Sequence, residues 1–596
     1  MPNKYNIKID LSRDSLFDAL GMTRMKESYM MESENSPQER FAYVSSAFAS
    51  NQEHAQRLYD YASKMWLSYS TPILSFGRSK KGLPISCFLP YLHDSAEGLV
   101  DCLSEVNWLS MLGGGVGIGL GIRSADDKSV GIMPHLRTYD ASSLAYRQGR
   151  TRRGSYAAYL SVDHPDIVQF LEMRKPTGDQ NMRCLNLHHG INITDDFMHI
   201  IEKSMLDPKA DDSWELKDPH DGQVKEVVSA KELWQRILEM RMQTGEPYLH
   251  FIDASNRAMP EFQKKLGLSI KQSNLCSEII LPTDKDRTAV CCLSSVNLEH
   301  YDAWKNNKLF LRDVAEMLDN VLEYFITNAP SSISRAVYSA RMERSIGIGA
   351  LGWHAYLQKN KLPWESALAV SANHRIFKHI KKRLDDANLE LGTERGEAPD
   401  AKGTGRRFSH MQAIAPNASS SILMNNTSPS IEPYRANAYR QDTLSGAYLN
   451  KNRFLDALLK EKIKDEEELK EIWSSIIASD GSVSHLDILS DDEKAVFKTA
   501  MEIDQRWVVQ HAADRQEYID QAQSLNVFFR PDSSIKYIHA VHFQAWKQGC
   551  KTMYYCRSEK IGKADKVAKK IEREVIKEID LKALAKDDEV CIACEG

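Results

Sequence analysis

The chain has 596 residues, 42% of them hydrophobic and 27% charged, with a formal net charge of -5. It is larger than one ordinary domain and has the composition of a globular, water-facing body. The weakly acidic balance excludes wrapping a polyanion, no run reaches the roughly 18 apolar residues of a membrane span, and no basic start followed by an apolar core marks a secretory leader.

A cytoplasmic location is therefore expected, with neither nucleic acid nor membrane as partner. Residues 1–70 read as a helical region. Ser36-Pro37-Gln38-Glu39 has the form of a helix start, with Ser36 at the N-cap, Pro37 in the first turn and Glu39 completing a capping box. Phe41, Val44 and Phe48, then Leu58, Tyr59, Ala62 and Trp66, recur at helical spacing. From Thr71 to about residue 560 short apolar runs alternate with longer amphipathic stretches, which predicts a large α/β body. The runs are Ile85–Leu89, Cys184–Leu187, Ala289–Leu293 and Thr552–Tyr555. Residues 455–497 are charge-rich and read as a helical surface insertion. Residues 561–596 form a charged segment with an apolar stripe (Val567, Ile571, Val575, Ile579) and a mobile end. The basic cluster Arg147–Arg153 fits a local phosphate contact or a solvated loop.

Ten cysteines in a chain this long do not make a secreted disulfide scaffold. In a reducing compartment, specially placed cysteines point to catalysis or metal binding. No clustered Cys/His set is present for zinc; Cys591-Ile592-Ala593-Cys594 is a lone C-x-x-C at the chain end. No metal site is expected in this chain.

The most informative segment is Ser273-Asn274-Leu275-Cys276-Ser277-Glu278. In extended backbone side chains repeat every second residue, so Asn274, Cys276 and Glu278 are expected to point the same way. A thiol, a carboxylate that can take a proton, and an amide that can hold a hydroxyl would share one face. Cys87 and Cys291 lie in apolar, strand-like runs, and Tyr554-Tyr555 follows near the end. This set suggests radical and thiol redox chemistry.

In chain order, Ser70-Thr71-Pro72-Ile73, Cys87, the glycine run Gly113–Gly119, Asn274–Glu278, Cys291, Arg344–Gly349, Ile431-Glu432-Pro433, Tyr554-Tyr555 and the terminal cysteine pair resemble the large, catalytic subunit of class I ribonucleotide reductase. The resemblance spans roughly residues 70–560 plus the tail. It implies a ten-stranded α/β barrel of two five-stranded halves, with Cys276 on a loop through its centre. It also implies a thiyl radical at Cys276 that takes the ribose 3'-hydrogen, Glu278 as general base and Asn274 on the ribose hydroxyls. Cys87 and Cys291 would end as a disulfide when the 2'-hydroxyl leaves as water. Cys591 and Cys594 would re-reduce it by exchange, with thioredoxin or glutaredoxin behind them. The spacing of the last pair is narrower than in many relatives. Adjacent strand residues face opposite sides, so only one of Cys291 and Cys292 can point into the site. The resemblance, in which the redox cysteine opens a Cys-x-Leu-Ser segment, implies Cys291; Cys292, Cys102, Cys184, Cys550 and Cys556 read as small buried hydrophobes.

The resemblance further implies that Tyr554 and Tyr555 relay the radical from a separate small subunit carrying a metal centre or stable radical, with no cofactor bound in this chain. Substrate contacts would come from Thr71, Ser86, Gly117 and the helix start at Pro416, Asn417, Ala418, Ser419 and Ser420, whose free amides suit a diphosphate. A deoxynucleotide or ATP effector would sit at Asp94 and Arg123, and Arg183 in the loop at 178–184 would pass its message to the substrate base. A homodimer is expected with effector. Two rivals stand beside this reading: an adenosylcobalamin-dependent reductase on the same barrel, and a non-catalytic nucleotide-binding relative. The stretch before the matched body reads as the helical scaffold, too short to hold an ATP-binding cone as well, so no overall-activity site is expected. Strong inhibition by dATP, at concentrations that leave effector stimulation intact, would overturn that expectation.

Overall fold

The computed structural model describes residues 4–78, 82–146, 154–443 and 446–558. Arg147–Arg153, the stripe at 567–579 and the pair Cys591 and Cys594 lie outside the described residues.

The helical region forms as the capping pattern requires. Ser36 takes the amide of Gln38 on its hydroxyl at 3.0 Å, and Glu39 reaches back to the Ser36 amide at 3.3 Å, a box worth about 1 kcal/mol. Helix Pro37–Phe48 packs on helix Gln52–Ser63 through Phe41, Val44, Phe48, Leu58 and Tyr59, all buried. The second helix stops at Ser63. Met65 has φ 63°, so Trp66 leads into a short strand, Leu67–Tyr69, instead of extending the helix.

The α/β body is a closed ring of ten staves in two parallel halves. The first half runs β1 (Cys87–Leu89), β2 (Gly115–Gly121), β3 (Tyr156–Ser161), β4 (Leu187–Ile193) and β5 (Tyr248–Phe251), each parallel to the next. The Cys184–Leu187 run therefore contributes only its last residue to a strand. The second half starts with β6 (Ala289–Asn297) parallel to β7 (Ile346–Leu351). Residues 410–415 continue it: Ile346 and Ile348 donate their amides to the carbonyls of His410 and Met411 at 3.0 and 2.8 Å. Ile414 bridges Gln523 in parallel, and that stave ends in β8 (Val527–Phe529). The last stave holds β9 (Thr552–Met553) and β10 (Cys556–Ser558), the latter parallel to β8.

Two antiparallel seams close the ring. At one, Cys87 of β1 is the register partner of Cys291 of β6. At the other, Leu249 of β5 is the partner of Met553 of β9. Helices cover the outside, as a parallel sheet buried on both faces needs; among them Phe310–Asn328 and Ala367–Arg395 pack together. Residues 453–497 form helices Arg453–Lys462, Glu466–Ala478 and Asp491–Val496 with a small core of their own around Leu455, Leu459, Trp473 and Phe497.

The inside of the ring is where glycine matters. In β2 and β7, glycines fall at every second position, which is one face of a strand. A Cβ on Gly117 would stand 2.4 Å from the Ser273 carbonyl and 2.6 Å from the Asn274 Cα, and one on Gly349 would stand 2.6 Å from the Ala413 carbonyl. The bare face of β2 leaves room for residues 269–288, which run through the barrel with Ser273–Leu281 at most 1% exposed, and that of β7 lets the stave at 413–414 approach closely.

His250, on β5 beside one seam, is fully buried between Asn192 (Nδ1 to Oδ1 2.8 Å) and Ser255 (Nε2 to Oγ 2.9 Å). Burial pushes its pKa down from 6.5 to about 3. The unfolded chain therefore takes up a proton near pH 6.5 that the folded one refuses. Its contribution to stability is complete above pH 6.5 and falls by about 1.4 kcal/mol per unit below it. His250→Asn should make the thermal transition less sensitive to acid between pH 7 and 5 than the parent's; an unchanged slope would mean the imidazole is charged in the fold.

Candidate active site

The residues singled out by sequence meet inside the ring, but not by strand alternation. Asn274–Glu278 is a tight turn. Ser277 has φ 67°, the Ser277 amide donates to the Asn274 carbonyl at 3.4 Å, and the Asn274 amide donates to the Ile279 carbonyl at 3.3 Å. Asn274 closes it with its side chain, whose Oδ1 accepts the Ile279 amide at 3.0 Å. The expectation of an extended segment is corrected. Asx side chains bond nearby backbone and favour turns over strands. Asn274 Oδ1 is thus engaged, while Nδ2 donates to Cys87 Sγ at 3.3 Å.

Two staves hold the turn from outside. Tyr159 of β3 donates its hydroxyl to the Asn274 carbonyl at 2.6 Å. The Ser524 hydroxyl lies 2.5 Å from the Cys276 carbonyl and 3.2 Å from Glu278 Oε2, and its one proton can be given to either. Glu278 is fully buried, and its other carboxylate oxygen lies 3.9 Å from Cys87 Sγ. Such a carboxylate, met by a hydroxyl and a thiol, is placed to take a proton from a hydroxyl brought into the chamber. The chamber wall is a distinct apolar cluster that includes Cys87, Tyr159, Tyr248, Leu275, Cys276, Cys291, Tyr554 and Tyr555.

Cys87 and Cys291 face each other across the first seam. Directly opposed residues of an antiparallel pair have Cα atoms about 4.5–5.5 Å apart, inside the span a disulfide bridges. Burial pushes the Cys291 thiol well above its ordinary range, and the neighbouring Cys292 and Cys87 add to the effect. Cys292 points the other way, its Sγ 3.5 Å from the Leu318 carbonyl of an outer helix.

At the second seam Tyr554 donates its hydroxyl to Cys276 Sγ at 3.4 Å. The Tyr554 and Tyr555 rings lie 4.3 Å apart, and Tyr248 of β5 sits at 4.7 and 5.1 Å from them. Burial raises the Tyr555 phenol above its ordinary range, and buried Glu246 adds to this. Arg557 stacks 4.2 Å from the centre of the Tyr555 ring. Burial alone would raise Glu246, but Arg174 and His188 outweigh it and hold the carboxylate well below its usual range.

The remaining expected residues are more scattered. Asn417 takes the left-handed conformation (φ 56°) at the start of helix Ala418–Leu423. Its amide is used internally, on Ser295, Ala350 and Ala415, and Pro416, Ser419 and Ser420 are buried around it. Ser86 adjoins Cys87; its buried hydroxyl has no hydrogen-bond partner among the described residues. Thr71 is bonded to Tyr29 at 3.2 Å. Gly117 presents its bare face to the backbone of the turn, so close packing explains this glycine. Asp94 and Arg123 form an ion pair (2.8 Å), joined by His220 at 3.1 Å. Arg183 is folded onto its own loop, on the carbonyls of Thr177 and Met182.

One group with metal-ligand composition occurs among the described residues: His54 of helix Gln52–Ser63 with Asp313 and Glu316 of helix Phe310–Asn328. Arg57 and Tyr61 hold Asp313, and Arg312 and Arg395 hold Glu316, so its carboxylates are already neutralised by protein cations. Among the described residues no helix is long and apolar enough to cross a membrane.

Tyr159, Tyr248, Ser524 and Gln521 escaped the sequence reading. None stands in a local pattern with Cys276; only ring closure brings their staves to it.

A ring that carries a buried cysteine turn, with a facing cysteine pair on one side and a tyrosine pair on the other, defines a class. The chain belongs to the class I ribonucleotide reductase large-subunit family. Residues 15–82 match the ribonucleotide reductase all-alpha domain, and residues 85–404 and 398–556 match the ribonucleotide reductase barrel domain. The chain is 55% identical over 609 residues to the ribonucleoside-diphosphate reductase large subunit of Invertebrate iridescent virus 3, covering 94% of this chain and 97% of that one. It is 48% identical to the putative ribonucleoside-diphosphate reductase large subunit of Frog virus 3, over 91% of this chain and 93% of that one. Among solved structures it resembles the class Id ribonucleotide reductase alpha subunit of Actinobacillus ureae, with a TM-score of 0.81 and 32% identity, covering 93% of this chain and 98% of that one.

Gly117→Ala tests the close packing. The added methyl would push on backbone, which cannot rotate away. Turnover should fall on the order of tenfold to a hundredfold, because small displacements of reacting groups are costly, with the circular dichroism of the fold retained. Full activity would show that the turn has slack.

Proposed function

We propose that this chain is the catalytic subunit of a ribonucleoside-diphosphate reductase, converting ribonucleotides to 2'-deoxyribonucleotides. One observation carries the reading: Cys276 Sγ is within 3.4 Å of the Tyr554 hydroxyl on a turn whose Asn274 and Glu278 both reach the Cys87 side of the facing cysteine pair. Oxidant, base and reductant thus surround one chamber.

A separate small subunit, carrying a metal centre or stable radical, supplies the oxidising hole. It arrives through Tyr555 and Tyr554. Oxidised Tyr554 takes the hydrogen atom from the Cys276 thiol, restoring its phenol and leaving a thiyl radical. That radical removes the ribose 3'-hydrogen. Glu278 takes the 3'-hydroxyl proton, and Asn274 Nδ2 is free to turn from Cys87 to a ribose hydroxyl. As the 2'-hydroxyl leaves as water, Cys87 and Cys291 give up two electrons and two hydrogens and become a disulfide. The Cys276 thiol then returns its hydrogen atom to C3', which completes the deoxyribonucleotide and regenerates the thiyl radical. The barrel keeps water from the radical, since every wall residue named here is at most 6% exposed.

The substrate diphosphate is assigned to the amides and hydroxyls at Asn417–Ser420, with Ser86 and Thr71 nearby in role. Asp94 and Arg123 are assigned to the effector nucleotide and Arg183 to reading the base, in a homodimer formed with effector. Cys591 and Cys594 shuttle electrons from thioredoxin or glutaredoxin.

The test pairs the purified chain with a candidate small subunit, each nucleoside diphosphate, and adenosylcobalamin as the alternative radical source. Cys276→Ser and Tyr554→Phe should each abolish turnover while nucleotide binding is retained. Activity in Cys276→Ser, or turnover with adenosylcobalamin and no second protein, would refute the mechanism.

A further inference from the structure

Gln521 is fully buried and rigidly mounted. Its amide donates to the Gln412 carbonyl at 3.1 Å. Its own carbonyl accepts Lys551 Nζ at 2.8 Å and Gln516 Nε2 at 3.0 Å. Lys551, itself buried, clamps the same bend through the carbonyls of Ile519 and Asp520 at 3.1 and 2.8 Å. The side chain that this bend presents to the barrel has Oε1 on the Ile280 amide at 3.4 Å and Nε2 on the Ile346 carbonyl at 3.1 Å. The same Nε2 lies 3.8 Å from Cys291 Sγ, within range of an N–H to sulfur contact. That sulfur sits over Gly347, where a Cβ would come within 3.0 Å of it.

The two sulfurs of the pair therefore stand in different fields. Cys291 meets an immobilised amide N–H. Cys87 meets the Asn274 amide but also a Glu278 carboxylate oxygen at 3.9 Å. A thiolate at Cys87 would stand against the Glu278 oxygen, whereas at Cys291 the Gln521 donor outweighs the opposing charge of Glu278. Burial opposes a thiolate at Cys291, so a donor there has a charge to stabilise that solvent cannot.

We infer that Gln521 makes Cys291 the leaving sulfur when the spent disulfide is re-reduced, so that the incoming thiol attacks Cys87. In that step a thiolate forms a sulfur–sulfur bond to Cys87, the Cys87–Cys291 bond breaks, and Cys291 departs with the electron pair as a thiolate held by Gln521 Nε2–H. A second thiolate on the reductant then displaces Cys87, and the reductant leaves as the disulfide. Exchange rates rise as the leaving thiolate is stabilised. A hydrogen bond to a charged sulfur is the stronger kind.

This inference rests on the proposed role of the cysteine pair, and one experiment separates the two. The full chain with its radical-supplying subunit is taken through a single turnover without reductant, and the disulfide is located by peptide mapping. Absence of a Cys87–Cys291 bridge would remove the proposed role, and the inference with it. The oxidised protein is then exposed briefly to glutathione, quenched in acid and alkylated. The expected product carries glutathione on Cys87 and the alkyl group on Cys291; glutathione on Cys291 would overturn the inference while leaving the role of the pair intact. Gln521→Met, which keeps the volume and removes the N–H, should slow the exchange about tenfold. An unchanged rate in that variant, once folded, would also overturn it. If the variant does not fold, the map of the parent protein decides.

Discussion

The structure depends on a closed ring that must hold chain inside itself. Ten staves leave an interior, and residues 272–283 fill it with backbone and side chains that are almost wholly excluded from water. Buried backbone needs partners. The turn finds some of its own, through Asn274 and Ile279, and takes the rest from the wall, through Tyr159 and Ser524. The glycines of β2 are the counterpart on the strands, missing side chains where Gln272–Asn274 pass, while those of β7 admit the neighbouring staves. Reactive groups on such a turn are fixed without being part of the sheet.

How much of this was legible in the sequence differs by kind. The capping box at Ser36 and Glu39 is a local device, and local devices read well. The ordered motifs around Cys87, Cys276, Cys291 and Tyr554 led to the family, and with it the barrel. The Asn274–Glu278 alternation suggested one shared face, and the three side chains do serve one chamber. The reason given was mistaken: a turn with left-handed Ser277 groups them, because Asn274 prefers to bond its own backbone. Ser524 and Gln521 were illegible. They lie about 250 residues along the chain from the turn they support, on a stave whose neighbours are known only once the ring is closed. Gly117 was read as a substrate contact; its packing against the turn's backbone was not legible, because residues 117 and 273 are brought together only by the fold.

The same geometry explains why the site is apolar. Charges around the barrel sit in satisfied networks, such as Glu246 with His188, His189 and Arg174, or Asp313 with Arg57. Within the chamber Glu278 is the ionisable carboxylate, met by a hydroxyl and a thiol. Low polarity disfavours stray proton traffic and makes each polar contact count for more. A thiol, a phenol and an amide can occupy such a space at little desolvation cost, which suits chemistry that moves hydrogen atoms and not free ions.

The two antiparallel seams lie half a circumference apart, with the five strands of the first half between them on one side of the ring. On the proposed roles, Tyr554 follows directly from the seam at Met553, while Cys87 and Cys291 are the seam on the other side. Oxidising current would then come in at one join, reducing current at the other, and Cys276 is the terminal where both circuits meet. Such wiring insulates the easily oxidised pair from the phenols, so that a hole on Tyr555 is not short-circuited by the electrons reserved for the sugar.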